Sequence, residues 1–327
     1  MKYLAVLLAT QAAAMAAVPS YKVVDQIAIG GEARWDYVYL DSAAHRLYVA
    51  HGKQTDVIDT TTNKVVGAVT GSNGVHGIAV ARELGKGYAT SGEDSTVTVF
   101  DLDSLKMTSS IAVGNKPDAI VYDAIDQRVV AFNGHSDSAS IIDAKAGTVS
   151  GTVELGGKPE FAVVDAKGKV YVNLEDTGEL AVLDPKAMKV TKRIALKPCE
   201  EPTGLAMDDK QHLFSVCKNH KMMITSLKNG HVAEAPIGAA PDGVAWLDGY
   251  AFSANGGDGN LSVVGLAAGG KFSTVATLDT AYGARTIAAD PVTHKLYLPT
   301  ADFQPAEGDA KRKGIPDTFR VLVLEKQ

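Results

Sequence analysis

An all-β fold, a single seven-bladed β-propeller with four-stranded blades, is what this sequence predicts, and three features predict it. The first is a local rhythm of short apolar runs and turns. From Pro117 to Gly157 the chain holds four such runs, Ala119–Asp123, Arg128–Asn133, Ala139–Asp143 and Val149–Leu155. Each is rich in Val, Ile, Phe or Tyr and bounded by Asp, Gly, Asn or Ser, the punctuation of strands and turns. The second feature is repetition. WDYVYLD at Trp35, VHGIAVA at Val75, PDAIVYD at Pro117, PEFAVVD at Pro159, PTGLAMD at Pro202, PDGVAWL at Pro241 and ARTIAAD at Ala284 align as starts of successive units. They recur roughly every 40 residues, the period of propeller blades. The third is that the second strands align too, as RLYVAH, KGYATS, RVVAFN, KVYVN, HLFSVC, YAFSAN and KLYLPT. A lone four-stranded sheet would expose both faces, and radial packing of seven gives each one neighbours.

In chain order, residues 1–16 read as a secretory signal, with Lys2 as charged start, an Ala-rich apolar run and a small-x-small cleavage site ending at Ala16. The run is too short to span a membrane. Residues 17–327 are then one propeller domain. Tyr21–Ile29 is a strand with nothing before it to pair with. The last blade supplies only Ala284–Asp290, Lys295–Thr300 and Phe319–Leu324, so the N-terminal strand is expected to complete blade seven as its outer strand. That closure removes an open sheet edge.

The repeats resemble the YVTN family of seven-bladed propellers, and the whole chain resembles the secreted bacterial proteins called YncE-like. The family tetrad survives as Tyr171-Val172-Asn173 and in the Asn-ended strands at Asn133 and Asn255. His51, Ser91, Cys217 and Thr300 stand where the other repeats would carry that Asn. The resemblance implies the fold, but the scaffold carries many unrelated ligands and implies no particular one.

A charged fraction of 21% against 46% hydrophobic residues fits a soluble globular protein. The net charge of −6 and the lack of any basic stretch beyond Lys311-Arg312-Lys313 argue against nucleic acid, which needs a phosphate-neutralising surface. An exported protein, periplasmic or secreted, acting as a monomer, is expected. Its only cysteines, Cys199 and Cys217, flank the first two strands of blade five at one edge. A disulfide is the expected reading in an oxidising compartment, with a metal-binding or reactive thiol pair as the alternative.

Several polar features read as structural. Asp59, Asp101, Asp143 and Asp184 each end a third strand and can accept from the N–H groups of the turn that follows. The spacing and closing Glu of an EF-hand are absent. Asn255–Asn260 reads as a hairpin loop, and His45, His212, His231 and His294 as surface histidines of the opposite, bottom edge. The blade-seven connection between Thr300 and Phe319 is far longer than its counterparts, either a tolerated insertion or a flap over the ligand face.

The candidate site lies at the top edge, where the chain enters each first strand. The residue after each repeat start is Asp36, His76, Asp118, Glu160, Thr203, Asp242 and Arg285 in turn, an inner ring of polar groups about one axis. Asn133, Asn173 and Asn255 belong to a second ring at the ends of the second strands. Convergent polar groups at a channel mouth suit a small polar ligand, a metal ion, or a protein or peptide partner. A wet channel whose polar groups pair with each other and with water is the alternative. Arg285 is expected between Asp242 and Asp36, because the ring closes, and its fork could grip an anionic ligand group. His76, Asp118 and Glu160 are the candidate ligands for a divalent cation. A binding protein is the first reading and a metal-dependent hydrolase or lyase, or a metal carrier, the second. No nucleophile elbow or P-loop supports other catalysis.

Overall fold

Seven antiparallel four-stranded sheets stand in a ring in the computed structural model, which describes residues 19–267, 269–306 and 312–327. The expected signal segment lies outside the described residues. Blade three shows the pattern: Pro117–Asp123 is innermost, then Arg128–Asn133, Ser138–Asp143 and the outer strand Thr148–Glu154. Its two middle strands are buried almost throughout, whereas the outer strand is mostly exposed. The difference follows from radial packing, since a middle strand has a neighbouring blade on each face. Hence RVVAFN and SASIID read as nearly continuous apolar or small residues rather than as an alternation.

The core is divided into slabs between blades. Val130, Phe132 and Ile141 of blade three pack with Val172, Ala181 and Leu183 of blade four. Phe132 is fully buried, and burial of such a side chain contributes about 1.5–3 kcal/mol.

Closure occurs as the sequence implies. Tyr21–Ala28 pairs antiparallel with Arg320–Lys326, from Tyr21 opposite Lys326 to Ala28 opposite Arg320. Tyr21 also packs edge-on to Phe252 of blade six at 5.3 Å. Two inner strands are shorter than their repeat starts suggest. Blade one begins at Val38, and the innermost strand of blade seven is only Ala288–Ala289. The preceding residues serve the neighbouring blade: Arg285 Nη2 donates to Trp35 O at 2.6 Å and Thr286 Oγ1 to Asp36 O at 2.8 Å. These contacts tie blade seven to blade one in place of sheet pairing.

The turn aspartates act as expected. Asp59, Asp101, Asp143 and Asp184 accept from the backbone N–H groups of Thr61, Ser104, Ala146 and Ala187 at 2.7–3.0 Å. At the top of blade five, Cys199 and Cys217 form a disulfide with their Cα atoms 5.4 Å apart, so the thiol-pair alternative falls. Among the described residues no helix is long and apolar enough to cross a membrane. The blade-seven loop is anchored by Phe303, which bridges Gly314 and packs edge-on to Trp35 and Tyr282 at 6.0 and 4.9 Å. The 307–311 part of that loop, where a flap would extend, lies outside the described residues.

Candidate functional site

Each repeat delivers its second residue to the top of the innermost strand, and five of these residues form one chain of alternating charge. Asp242 accepts from Arg285 Nε at 2.8 Å, and Arg285 Nη2 lies 3.8 Å from Asp36. The other oxygen of Asp36 meets His76 Nδ1 at 2.5 Å, and that nitrogen is 3.6 Å from Asp118 Oδ1. The chain runs from blade six through seven, one and two to three. Glu160 of blade four continues the arc but faces Lys158 Nζ at 3.6 Å and the Tyr37 hydroxyl at 3.4 Å.

Acids outnumber their partners here, and burial makes that costly. Glu160 is pushed up to about 9, first by burial and then by the charges of Asp118 and Asp242. Asp118 is raised to about 7 by burial and by Asp36, against the pull of His76. Burial also lifts Asp242 to about 6, with Arg285 opposing. Burial would lower His76, but the bond to Asp36 and the charges of Asp118 and Asp36 outweigh it and raise its pKa. The mouth therefore holds protons at neutral pH that isolated carboxyl groups would have released. Even so, Asp118 Oδ1 and Glu160 Oε2 are buried without a hydrogen-bond partner.

The donors closest to a metal-binding set are Asp36, His76 and Asp118, whose ligand atoms all lie within 4.8 Å of one another. Asp36 thus occupies the place that the sequence reading gave to Glu160. The reason is ring order: blade one adjoins blade two, whereas Glu160 is two blades from His76 and turns to Lys158.

Arg285 sits between Asp242 and Asp36, as ring closure implies. Protein holds one side of its fork, with Nε on Asp242, Nη2 on Trp35 O, and the guanidinium 5.3 Å over the Trp35 ring. It joins blades six, seven and one at the mouth.

The remaining candidates do not join. Thr203 is buried and donates to Pro241 O at 3.1 Å. Asn133, Asn173 and Asn255 are fully buried. Asn133 reaches the hydroxyls of Ser138 and Ser140 at 3.1 Å, and Asn173 donates to Thr203 O at 2.8 Å and accepts from Ser215. The Asn255 amide lies between the hydroxyls of Ser253 and Ser262. These carboxamides knit hairpins and blades together behind the mouth. His51, in the same ring, is likewise held by Asp56 at 2.6 Å and Glu32 O at 2.7 Å.

Three residues of the site escaped the sequence reading. Lys158 pairs with Glu175 as well as facing Glu160. Tyr37 and Phe161 meet ring to ring at 4.6 Å below the acids, joining blades one and four. Their signal was present at the third position of each repeat start, where Gly77, Ala119, Gly204, Gly243 and Thr286 are small. A Cβ at Gly77 would stand 2.8 Å from Asp118 O, and one at Gly204 2.5 Å from Asp242 O, because adjacent inner strands approach closely. Two aromatic rings among such residues must point elsewhere. On the bottom edge, His212 pairs with Asp208 at 2.7 Å and lines a cleft of ≈ 580 Å³ with Trp246 and Phe272.

No family model matches this chain, and no curated protein does. Among solved structures, a chain of the Kuenenia stuttgartiensis hydrazine synthase is similar, with a TM-score of 0.72 at 15% identity. The match covers 82% of this chain and 92% of that one. At this identity it shows the propeller fold and nothing about activity.

Proposed function

We propose that this protein is an exported binding protein that holds a cation, a divalent metal ion or the ammonium group of a small polar ligand, at the top mouth of its channel. One observation carries the reading: a surplus of carboxyl groups whose Asp118 Oδ1 and Glu160 Oε2 make no hydrogen bond, their neighbours His76 and Lys158 standing 3.6 Å away. An uncompensated buried acid is costly unless it keeps a proton or meets a cation. Asp36, His76 and Asp118 supply two carboxylates and an imidazole, a set suited to Zn²⁺ or Mn²⁺. The ion would replace the proton that His76 shares with Asp36, so binding should release protons and strengthen as pH rises. Glu160 and Asp242 would add negative charge around it.

Residues 1–16 support export, as does a disulfide, which persists in an oxidising compartment. The Asn-ended second strands at Asn133, Asn173 and Asn255 support a YVTN-type, YncE-like propeller.

Elemental analysis of chain purified without chelator or affinity tag, followed by calorimetric titration with ZnCl2 and MnCl2, tests the reading. About one ion per chain is expected, lost in His76→Ala and Asp118→Asn. At a hundredfold excess over Kd, the ion should add about 2.7 kcal/mol of stability. Absence of metal, of binding heat and of any thermal shift with metals or small amines would overturn it. The three-donor set also favours a second reading, a metal-dependent hydrolase or lyase, because it leaves coordination positions for water and substrate. Turnover lost together with the ion would separate that reading from simple binding.

A further inference from the structure

Beneath the mouth, the channel widens into a cavity of ≈ 580 Å³ walled by the innermost strands of blades one to five. We propose that this cavity is a second binding site, distinct from the cation-binding mouth, and that it takes a neutral, mainly apolar small molecule. Its size falls in the ordinary range for ligand pockets, about 300–1,000 Å³.

The walls exclude a charged ligand. Ile78, Val80, Ile120, Val121, Val163 and Met207 line the space, the first three with their side chains largely buried between blades, and Tyr37 and Phe161 close it towards the mouth. The hydroxyl of Tyr37 is directed to Glu160. At the bottom rim the Arg82 charge is paired with Asp41, and Glu83 accepts from the Tyr122 hydroxyl. An anionic ligand would lose its hydration and find no free counter-charge, and a cationic one would meet only Glu83 at the rim, away from the aliphatic walls.

Polar capacity remains in the backbone. Each innermost strand is hydrogen-bonded within its blade on one side only, so its other edge turns N–H and C=O groups to the channel. A ligand with one or two uncharged hydrogen-bonding groups could use them. Water alone fits the space poorly. At about 30 Å³ per molecule the cavity would hold about twenty, most of them against aliphatic walls where their bonding is incomplete. Displacing such water by apolar surface favours binding.

The neutral fluorophore N-phenyl-1-naphthylamine is the probe. Titrated into the full chain, it should bind saturably, one per chain, with a blue-shifted emission. Binding should slow amide exchange along Val75–Ala81, which lines the cavity. Val121→Phe and Val163→Phe, each adding a ring from a half-buried wall position, should weaken binding about tenfold or more while circular dichroism stays native. EDTA should leave probe binding unchanged, which separates this site from the metal reading of the mouth. Non-saturable binding, exchange protection elsewhere, or unaltered affinity in folded phenylalanine variants would overturn the proposal. Should either variant fail to fold, the stoichiometry and exchange map of the natural chain decide.

Discussion

The Tyr37 hydroxyl lies 3.4 Å from Glu160 Oε1, joining blade one to blade four across the channel. The acid it meets is the most perturbed carboxyl of the mouth, and its titration has a measurable consequence. Glu160 is raised from 4.5 to about 9, so between those values the folded chain keeps a proton that the unfolded chain has released. Stability from this group is complete below the unfolded value and is lost as pH rises through the folded one. Asp118, raised from 3.8 to about 7, and Asp242, raised to about 6, act with the same sign at lower pH. The urea midpoint of the chelator-treated protein should therefore fall between about pH 7 and pH 9, and Glu160→Gln should flatten that limb. An equally steep fall in the variant would show that another group titrates.

Arg285 bridges Asp242 and the Trp35 carbonyl while its guanidinium covers the Trp35 ring. A lysine cannot make both bonds from one planar fork. The side chain is 35% exposed, so solvent takes up part of the loss. Arg285→Lys should fold and lose about 1–2 kcal/mol of stability, read from urea unfolding. Its affinity for small anions should hardly change, because Asp36 and Asp242 beside the guanidinium already offset its charge. A selective loss of anion binding at unchanged stability would contradict this.

The disulfide joins residues 18 apart in sequence, and closing a loop of that length restrains the unfolded chain. Loop entropy gives a stabilisation of about 3 kcal/mol. Cys199→Ser/Cys217→Ser, or the natural chain under reductant, should lower the unfolding free energy by that order. Thiol titration of the denatured chain should find no free thiol before reduction and two after it. Two thiols in the unreduced protein would remove the bridge.

The ring was legible because its signal repeats. Any one blade is ambiguous, but seven aligned starts and seven aligned second strands fix period, topology and the closing role of Tyr21–Ala28. The mouth was legible in part for the same reason: ring order alone places Arg285 between Asp242 and Asp36. Alignment by position could not say which way a side chain turns. Thr203 occupies the same slot as Asp118 yet bonds to a backbone carbonyl, and Glu160 turns from His76 to Lys158. Asn133, Asn173 and Asn255 looked like a second polar ring because hydrophilic type suggests exposure. Each instead satisfies buried groups where strands meet. Tyr37 and Phe161 were hidden by chemistry of a different kind, since aromatic residues in strands are unremarkable until their neighbours at the same repeat position are all small.

The last prediction concerns closure. Every other blade is continuous in sequence, whereas blade seven depends on Tyr21–Ala28 arriving from the opposite end of the chain. That strand has more to lose than an ordinary outer strand. Ile27 is buried and packs with Trp35, Tyr297, Phe319 and Val321 between blades seven and one. Val149, on the outer strand of blade three, is 38% exposed. Ile27→Ala should cost about 2–4 kcal/mol through lost burial and the cavity left behind, and Val149→Ala under about 1 kcal/mol. Removing residues 19–28 altogether should bare the edge of Arg320–Lys326, which can then pair with another chain. Light scattering and size-exclusion chromatography of the shortened protein should show association beyond that of the natural chain, or loss of the folded form. A shortened chain with the mass in solution expected of the natural protein's own assembly state, and an equal unfolding midpoint, would mean that the ring is held shut by its inner contacts alone, through Arg285 and Thr286 to blade one.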